Sequence, residues 1–361
     1  MHSLNISESL VKNPLQWKPV PHSIIKDIEL RKRLHEKGYA VVPLVDSDTI
    51  ASLLALFHQH HQFSGKAGGM FYSVYSEDTG YRKLVHAAIG AILQPVLNNI
   101  LDNHKMVLNS FIVKAPGPKS EFYLHQDSTG TDEFLYSTLS IWLPLHDIDE
   151  TNGAMCVIPK SHKLFSPYRG ISFKAPFENA VQTARRFLQP VYLKAGEAIL
   201  FDNRILHNSM QNKSSKARVV VMSASLPMNA PLMVCYKNAL QPNAKIELIQ
   251  QNEDYLFENT NFLKNCHLRP NYGATIGWVE DNYPMLSDEE LLALFERNGI
   301  IPTDFFDSNT QPYCNMIGEP VSNTDSIMQA AEQLPDFSIG QQDNGKTTLI
   351  RKVVNWLTRK N

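Results

Sequence analysis

The spacing of apolar positions changes twice along this chain, and the changes divide it into three parts. Near the start, residues 38–43 (Gly-Tyr-Ala-Val-Val-Pro) form a short run of β character, and Asp46-Ser-Asp-Thr49 precedes apolar residues at helical spacing through Phe57. A strand, an N-cap and a helix are predicted there. A second helix is predicted over 86–101, where Ile89, Ile92, Leu93, Val96 and Leu97 recur at helical spacing. From 105 to 226 the pattern turns into short β-branched or aromatic runs, at 106–114, 137–145, 154–159, 191–193, 198–202 and 217–225. Turn residues separate them, including Pro116-Gly117-Pro118, Asn152-Gly153 and Ala195-Gly196, and Asn-Gly is a pair that closes hairpins. The expected fold is mainly β with flanking helices.

Past residue 270 the pattern shifts again. Ser287-Asp-Glu-Glu290 is a capping box leading into apolar residues 291–295, and Gly299 stops that helix. Further helices are expected at 325–334 and 347–358. The expected organisation is an N-terminal segment 1–33, a β domain with N-terminal helices at 34–270, and a mostly helical extension 271–361 that packs on the core or mediates oligomerisation.

With 43% apolar and 19% charged residues in 361, the chain can bury a sizeable core. Its formal charge is −2 and no block of like charges occurs, so nucleic-acid and anionic-membrane partners are not expected. A small-molecule partner fits better. Cys156, Cys235, Cys266 and Cys314 are far apart without a C-x-x-C pair, which suggests reduced thiols in a cytoplasm. Residues 1–17 lack the apolar stretch of a signal peptide, and no run of about 20 apolar residues suits a membrane span.

The candidate chemistry begins at Leu124-His-Gln-Asp127. Side chains at i and i+2 of a strand leave the same face, so His125 and Asp127 can enter one cavity. His207, at the end of the run from 198 to 206, is placed to supply a third donor. Two imidazoles and one carboxylate leave three positions open on an octahedral ion, which suits an iron(II) centre that holds an organic chelator and dioxygen. If 198–208 and 216–225 pair as a hairpin about Asn212-Lys213, Arg218 lies opposite His207 and enters the same cavity. Its planar fork suits a carboxylate, and the distal carboxylate of 2-oxoglutarate meets that demand.

From residue 34 to 226 the sequence resembles the phytanoyl-CoA dioxygenase family. The resemblance is carried in order by Gly38-Tyr-Ala-Val-Val-Pro43, Lys114-Ala-Pro-Gly117, His125-Gln-Asp127, Trp142, Asn152-Gly153, Ile158-Pro-Lys-Ser-His-Lys163, Gly196-Glu-Ala-Ile-Leu-Phe-Asp202, His207 and Arg218. It implies a double-stranded β-helix (jelly-roll, cupin-like) core, iron(II), 2-oxoglutarate and dioxygen, and release of succinate as a C–H bond is hydroxylated or desaturated. Ser209 then matches a hydroxyl beside the 2-oxoglutarate carboxylate, Trp142 an aromatic wall of that pocket, and Lys114 a polar residue near the cosubstrate. Halogenating relatives lack the metal carboxylate, so Asp127 favours hydroxylation.

Competing readings explain less. A zinc hydrolase could use the same three donors, but there is no H-E-x-x-H helix and no task for Arg218. A catalytically silent binding module would not need all four residues. His58, His60 and His61 sit at a helix end and read as a solvated face. Residues 340–347 satisfy G-x-x-x-x-G-K-[ST], yet too little chain follows for the acidic strand a nucleotide site needs, so this is read as a turn. The connection 161–189 carries Lys163, Arg169, Lys174, Arg185 and Arg186 against Glu178, which suggests a basic lid for an anionic or zwitterionic substrate.

Overall fold

Asp27 opens the first helix, α1 (Ile28–Lys37), by accepting the Leu30 N–H at 2.7 Å. Gly38 closes it at φ 85°, a left-handed conformation that only glycine adopts freely, and a Cβ there would lie 2.5 Å from His162 Nδ1. The chain passes directly into β1 (Tyr39–Pro43), and Asp46 then caps α2 (Ser47–His60) as predicted. The helix α3 (Thr79–Ile100) begins earlier than its apolar pattern, because Asp78 caps a polar first turn. The sequence reading missed α1, whose buried face is only Leu30 and Leu34, so the expected boundary after residue 33 cuts a helix. This computed structural model describes residues 18–61, 69–238, 240–241, 243–258, 268–303 and 305–306.

Two antiparallel sheets form the core. The larger joins β1 to β2 (Met70–Tyr72), β3 (His104–Lys114), β5 (Leu139–Pro144), β8 (Glu197–Asp202) and β10 (Arg218–Pro227), in the order β1-β8-β5-β10-β3-β2. The smaller contains β4 (Phe122–His125), β6 (Met155–Ile158), β7 (Gln189–Val191) and β9 (Leu206–Ser209), in the order β4-β9-β6-β7. From β3 to β10 the chain passes repeatedly between them, which is the winding of a double-stranded β-helix.

Strand alternation sorts the apolar residues into layers. Trp142, Ile199, Phe201 and Val220 of the large sheet meet Met155, Val157 and Val191 of the small one between the sheets. Their neighbours Ile141, Leu143, Leu200, Val219 and Val221 point the other way, against Leu34, Leu53, Ile89 and Leu93 of the N-terminal helices. Outside the small sheet, Leu124, Cys156, Ile158 and Leu206 are covered by Phe165, Phe177 and Phe187 and by the helix Asp288–Arg297 through Leu291 and Phe295. That helix carries the predicted capping box.

Several expectations need correcting. The run 198–206 is not one strand. Asp202 folds the chain back, accepting the Arg204 N–H and Nε and, through its carbonyl, the Ile205 N–H, so β8 and β9 enter different sheets. His207 therefore lies opposite His125 and Val157, whereas Arg218 lies opposite Lys114. Asn152-Gly153 closes no hairpin between its flanking strands, because β5 and β6 belong to opposite sheets. A third sheet, β11 (Leu232–Tyr236), β12 (Ile246–Gln251) and β13 (Ala274–Val279), crosses the boundary expected at 270, so the extension begins as a strand and not a helix. His61 stacks on Phe57 and meets Phe71 instead of facing solvent. The helices expected at 325–334 and 347–358 and the turn at 340–347 lie outside the described residues. Among those described, no helix is long and apolar enough to cross a membrane.

Candidate active site

The β4–β9 ladder sets His125 directly across from His207. Asp127 lies just past the end of β4, where its N–H donates to the Asn203 carbonyl at 3.0 Å, in the turn that leads into β9. The three side chains converge: Asp127 Oδ1 is 3.6 Å from His125 Nε2 and 3.9 Å from His207 Nε2. One donor atom from each lies within 4.8 Å of the others, and the two imidazole centroids are 4.1 Å apart.

Both histidines are oriented through the far side of the ring. His125 Nδ1 faces the Tyr123 carbonyl and His207 Nδ1 the Ile205 carbonyl, each at 3.0 Å. A carbonyl can only accept, so each Nδ1 carries the proton and each Nε2 turns a lone pair inward. Burial and the neighbouring His125 pull His207 down to about 4, which keeps its ring neutral at pH 7. Burial opposes ionisation of Asp127, but the surrounding His125, His207 and Arg169 outweigh it and hold the carboxyl below its usual range. Ser140 Oγ donates to the other carboxylate oxygen at 3.3 Å. Two imidazoles and a carboxylate that converge in this way are a donor set for a divalent transition metal with open positions.

Beside this cluster, Lys114 and Arg218 sit opposite one another on β3 and β10, both fully buried. Lys114 Nζ crosses to the small sheet and donates to Ser209 Oγ at 2.7 Å, the Ser209 carbonyl at 3.1 Å and the Met210 carbonyl at 2.6 Å. Arg218 donates one NH2 group to the Gly153 carbonyl, and its guanidinium carbon lies 5.1 Å from the Trp142 ring centroid. Its buried Nε has no partner among the described residues. Burial lowers both groups, Lys114 well below its usual range and Arg218 to about 9, and the mutual Lys114–Arg218 repulsion adds to the effect on Lys114. Neither cation has a carboxylate within ion-pair distance among the described residues. Two buried cations without a counter-charge are costly, and an entering carboxylate would relieve them. Gly153 makes room for this arrangement: at φ 85°, a Cβ would come 2.6 Å from Lys114 Cδ.

Sequence reasoning missed Tyr72. It packs against Phe122 and Tyr75, close enough to Arg218 and Asp127 to feel both charges, and burial pushes its hydroxyl far up. Its strand of three residues offered no pattern to read. The basic lid is also corrected. Arg169 is buried in a bidentate pair with Glu133 at 2.7 Å, and Arg185 pairs with Glu121 at 2.7 Å. Part of the local excess of charge is neutralised by carboxylates that come from outside the loop, which a count along the sequence does not see. Two of the five basic residues behind the expectation of an anionic substrate are thereby taken up inside the fold.

Comparisons with known proteins bear on the family. The family model described as Phytanoyl-CoA dioxygenase (PhyH) matches residues 34–220, more than half of the 361-residue chain. Phytanoyl-CoA dioxygenase 1 of Oryza sativa subsp. japonica is 30% identical over 140 residues, 36% of this chain and 48% of the relative. Phytanoyl-CoA dioxygenase of Arabidopsis thaliana is 32% identical over 114 residues, 30% of this chain and 39% of the relative. The chain thus spans about half the length, or less, of these curated relatives. Among solved structures, the non-haem α-ketoglutarate-dependent carbocyclase SnoK of nogalamycin biosynthesis is 17% identical with a TM-score of 0.42, covering 57% of this chain and 86% of its own. HygX of Streptomyces hygroscopicus is 15% identical with a TM-score of 0.40, covering 56% of this chain and 88% of its own. On this family match, the chain belongs to the phytanoyl-CoA dioxygenase family.

Proposed function

We propose that this chain is an iron(II)- and 2-oxoglutarate-dependent dioxygenase that hydroxylates a small organic substrate. His125, Asp127 and His207 would hold the metal, and Arg218, with Lys114, Ser209 and Trp142, would hold 2-oxoglutarate. The observation that carries the reading is the pairing of two neighbouring features, bridged by Tyr72: donors within 4.8 Å of each other, and two buried cations with no counter-charge among the described residues. When bound, iron and 2-oxoglutarate supply an oxidant from dioxygen as the cosubstrate loses carbon dioxide and becomes succinate.

The chain's own residues prepare that chemistry. The carbonyls of Tyr123 and Ile205 hold each imidazole in the tautomer that leaves Nε2 free to bind. Arg218, whose Nε has no partner among the described residues, would hold the distal carboxylate of 2-oxoglutarate. Trp142 closes one wall and excludes water from the guanidinium. A zinc hydrolase would use the same three donors but leave Lys114 and Arg218 uncompensated, so the cations favour the oxygenase. The unpaired thiols of Cys156 and Cys235 support a reducing, cytoplasmic setting.

Anaerobic addition of iron(II) and 2-oxoglutarate should produce a visible charge-transfer absorption that needs both. In air, succinate should then form, faster when a metabolite library contains the substrate. Ala at His125, Asp127 or His207 should abolish iron-dependent turnover in a folded protein. Hydrolysis supported by zinc without 2-oxoglutarate would replace this reading, and cosubstrate binding without succinate would make the chain a silent binding module.

A further inference from the structure

Asp127 is the least supported of the three donors. His125 and His207 stand in a ladder, whereas Asp127 lies past the end of β4 and its main chain is held by single bonds. Its N–H reaches the Asn203 carbonyl at 3.0 Å, and its carbonyl accepts from Arg169 Nε at 2.8 Å. Arg169 arrives from forty-two residues along the chain with all three of its guanidinium nitrogens engaged. NH1 and NH2 take the two oxygens of Glu133 at 2.7 Å each, and NH1 also reaches the Ser166 carbonyl at 3.0 Å. The side chains of Arg169 and Glu133 are 6% and 0% exposed. Thr129 completes the joint: its N–H donates to the Arg169 carbonyl and its Oγ1 accepts the Arg169 N–H.

A buried ion pair is a poor device for stability, since well-packed apolar residues in the same volume do as well or better. What it provides is direction. The two parallel bonds to Glu133 fix the guanidinium plane, and that plane aims Nε at one carbonyl oxygen. Metal–ligand distances tolerate about 0.2 Å, so a main chain free to shift by a few tenths of an ångström would spoil the donor set.

From this geometry we infer that Arg169, aimed by Glu133, is a positioning residue that fixes Asp127 for metal binding. The inference rests on the reading of His125, Asp127 and His207 as a metal site. It also gives Arg169 a task opposite to that of a substrate-facing lid residue: it acts from behind the donor, through the backbone.

The test measures Co(II) affinity of the full chain by direct titration, alongside the thermal midpoint of the metal-free protein. R169K keeps the charge but cannot form the fork and the Nε bond together, and E133Q keeps the shape but removes the charge. Glu247→Gln breaks the Arg269–Glu247 pair on the third sheet and reports what losing an ion pair does elsewhere. R169K and E133Q should lose about 10- to 100-fold in Co(II) affinity, while E247Q keeps wild-type affinity at whatever midpoint it shows. Should R169K or E133Q not fold, Glu133→Asp, which keeps both charges on a shorter arm, carries the same expectation. Co(II) affinity within twofold of wild type in the folded variants, with only the midpoint lowered, overturns the positioning role. A wild-type chain that binds no Co(II) instead overturns the metal-site reading and this inference with it.

Discussion

Replacing Arg218 with Met should leave stability nearly unchanged while it weakens cosubstrate binding. Burial pulls the guanidinium from 12.5 to about 9, which amounts to about 5 kcal/mol against the charged form. Arginine stays charged at pH 7, so this is a standing cost to the empty protein and not a loss of charge. Relaxation of the site would leave roughly 2 kcal/mol of it, in line with the higher effective dielectric that real interiors display. Against this, the variant loses the Gly153 hydrogen bond, about 1 kcal/mol, and the contact with the Trp142 ring, about 1–2 kcal/mol. The two sides nearly cancel. Urea unfolding of metal-free R218M should therefore match wild type within about 2 kcal/mol, unlike an ordinary core truncation.

Binding should not be balanced in that way. An incoming carboxylate loses its charged partner, a loss of about 2–5 kcal/mol, or roughly 30- to 5000-fold in Kd. Calorimetric titration of the Co(II)-loaded protein with 2-oxoglutarate reads this directly, and Co(II) affinity itself should be unchanged. The reasoning fails if R218M destabilises the empty protein by more than about 3 kcal/mol while its 2-oxoglutarate affinity stays within threefold, because Arg218 would then be a structural cation.

Phe295 is fully buried, with its ring 4.8 Å from that of Phe187, so Phe295→Ala should cost about 3–5 kcal/mol in urea unfolding. A loss under about 1 kcal/mol would mean that the helix Asp288–Arg297 is not part of the cooperative core. Burial pulls His162 down to about 4 from 6.5, so between these pH values the folded chain binds fewer protons than the unfolded one and stability rises with pH. The contribution is present above pH 6.5 and lost as pH falls toward 4, up to about 3 kcal/mol, and His162→Gln should flatten the urea midpoint across that window. Identical slopes for the two proteins would refute it.

The local chemistry of the site was legible along the chain because strand alternation and turn residues act over a few positions. His125-Gln-Asp127, the runs that became β3, β5, β6, β8 and β10, and the capping box before Leu291 all follow from such short-range rules. Partnership across space did not follow from them. The step from His207 to Arg218 suggested one hairpin, yet the turn at Asp202 sends β9 and β10 into opposite sheets, so the two residues stand on different sheets. Lys114 and Arg218 became a buried pair of cations only when β3 met β10, and the charge of Arg169 acquired its meaning from Glu133, thirty-six residues away. Residue type and spacing thus decided which groups could do the chemistry. Which of them face one another was decided by sheet pairing, because register and burial depend on strands that are distant in the chain and adjacent only after folding.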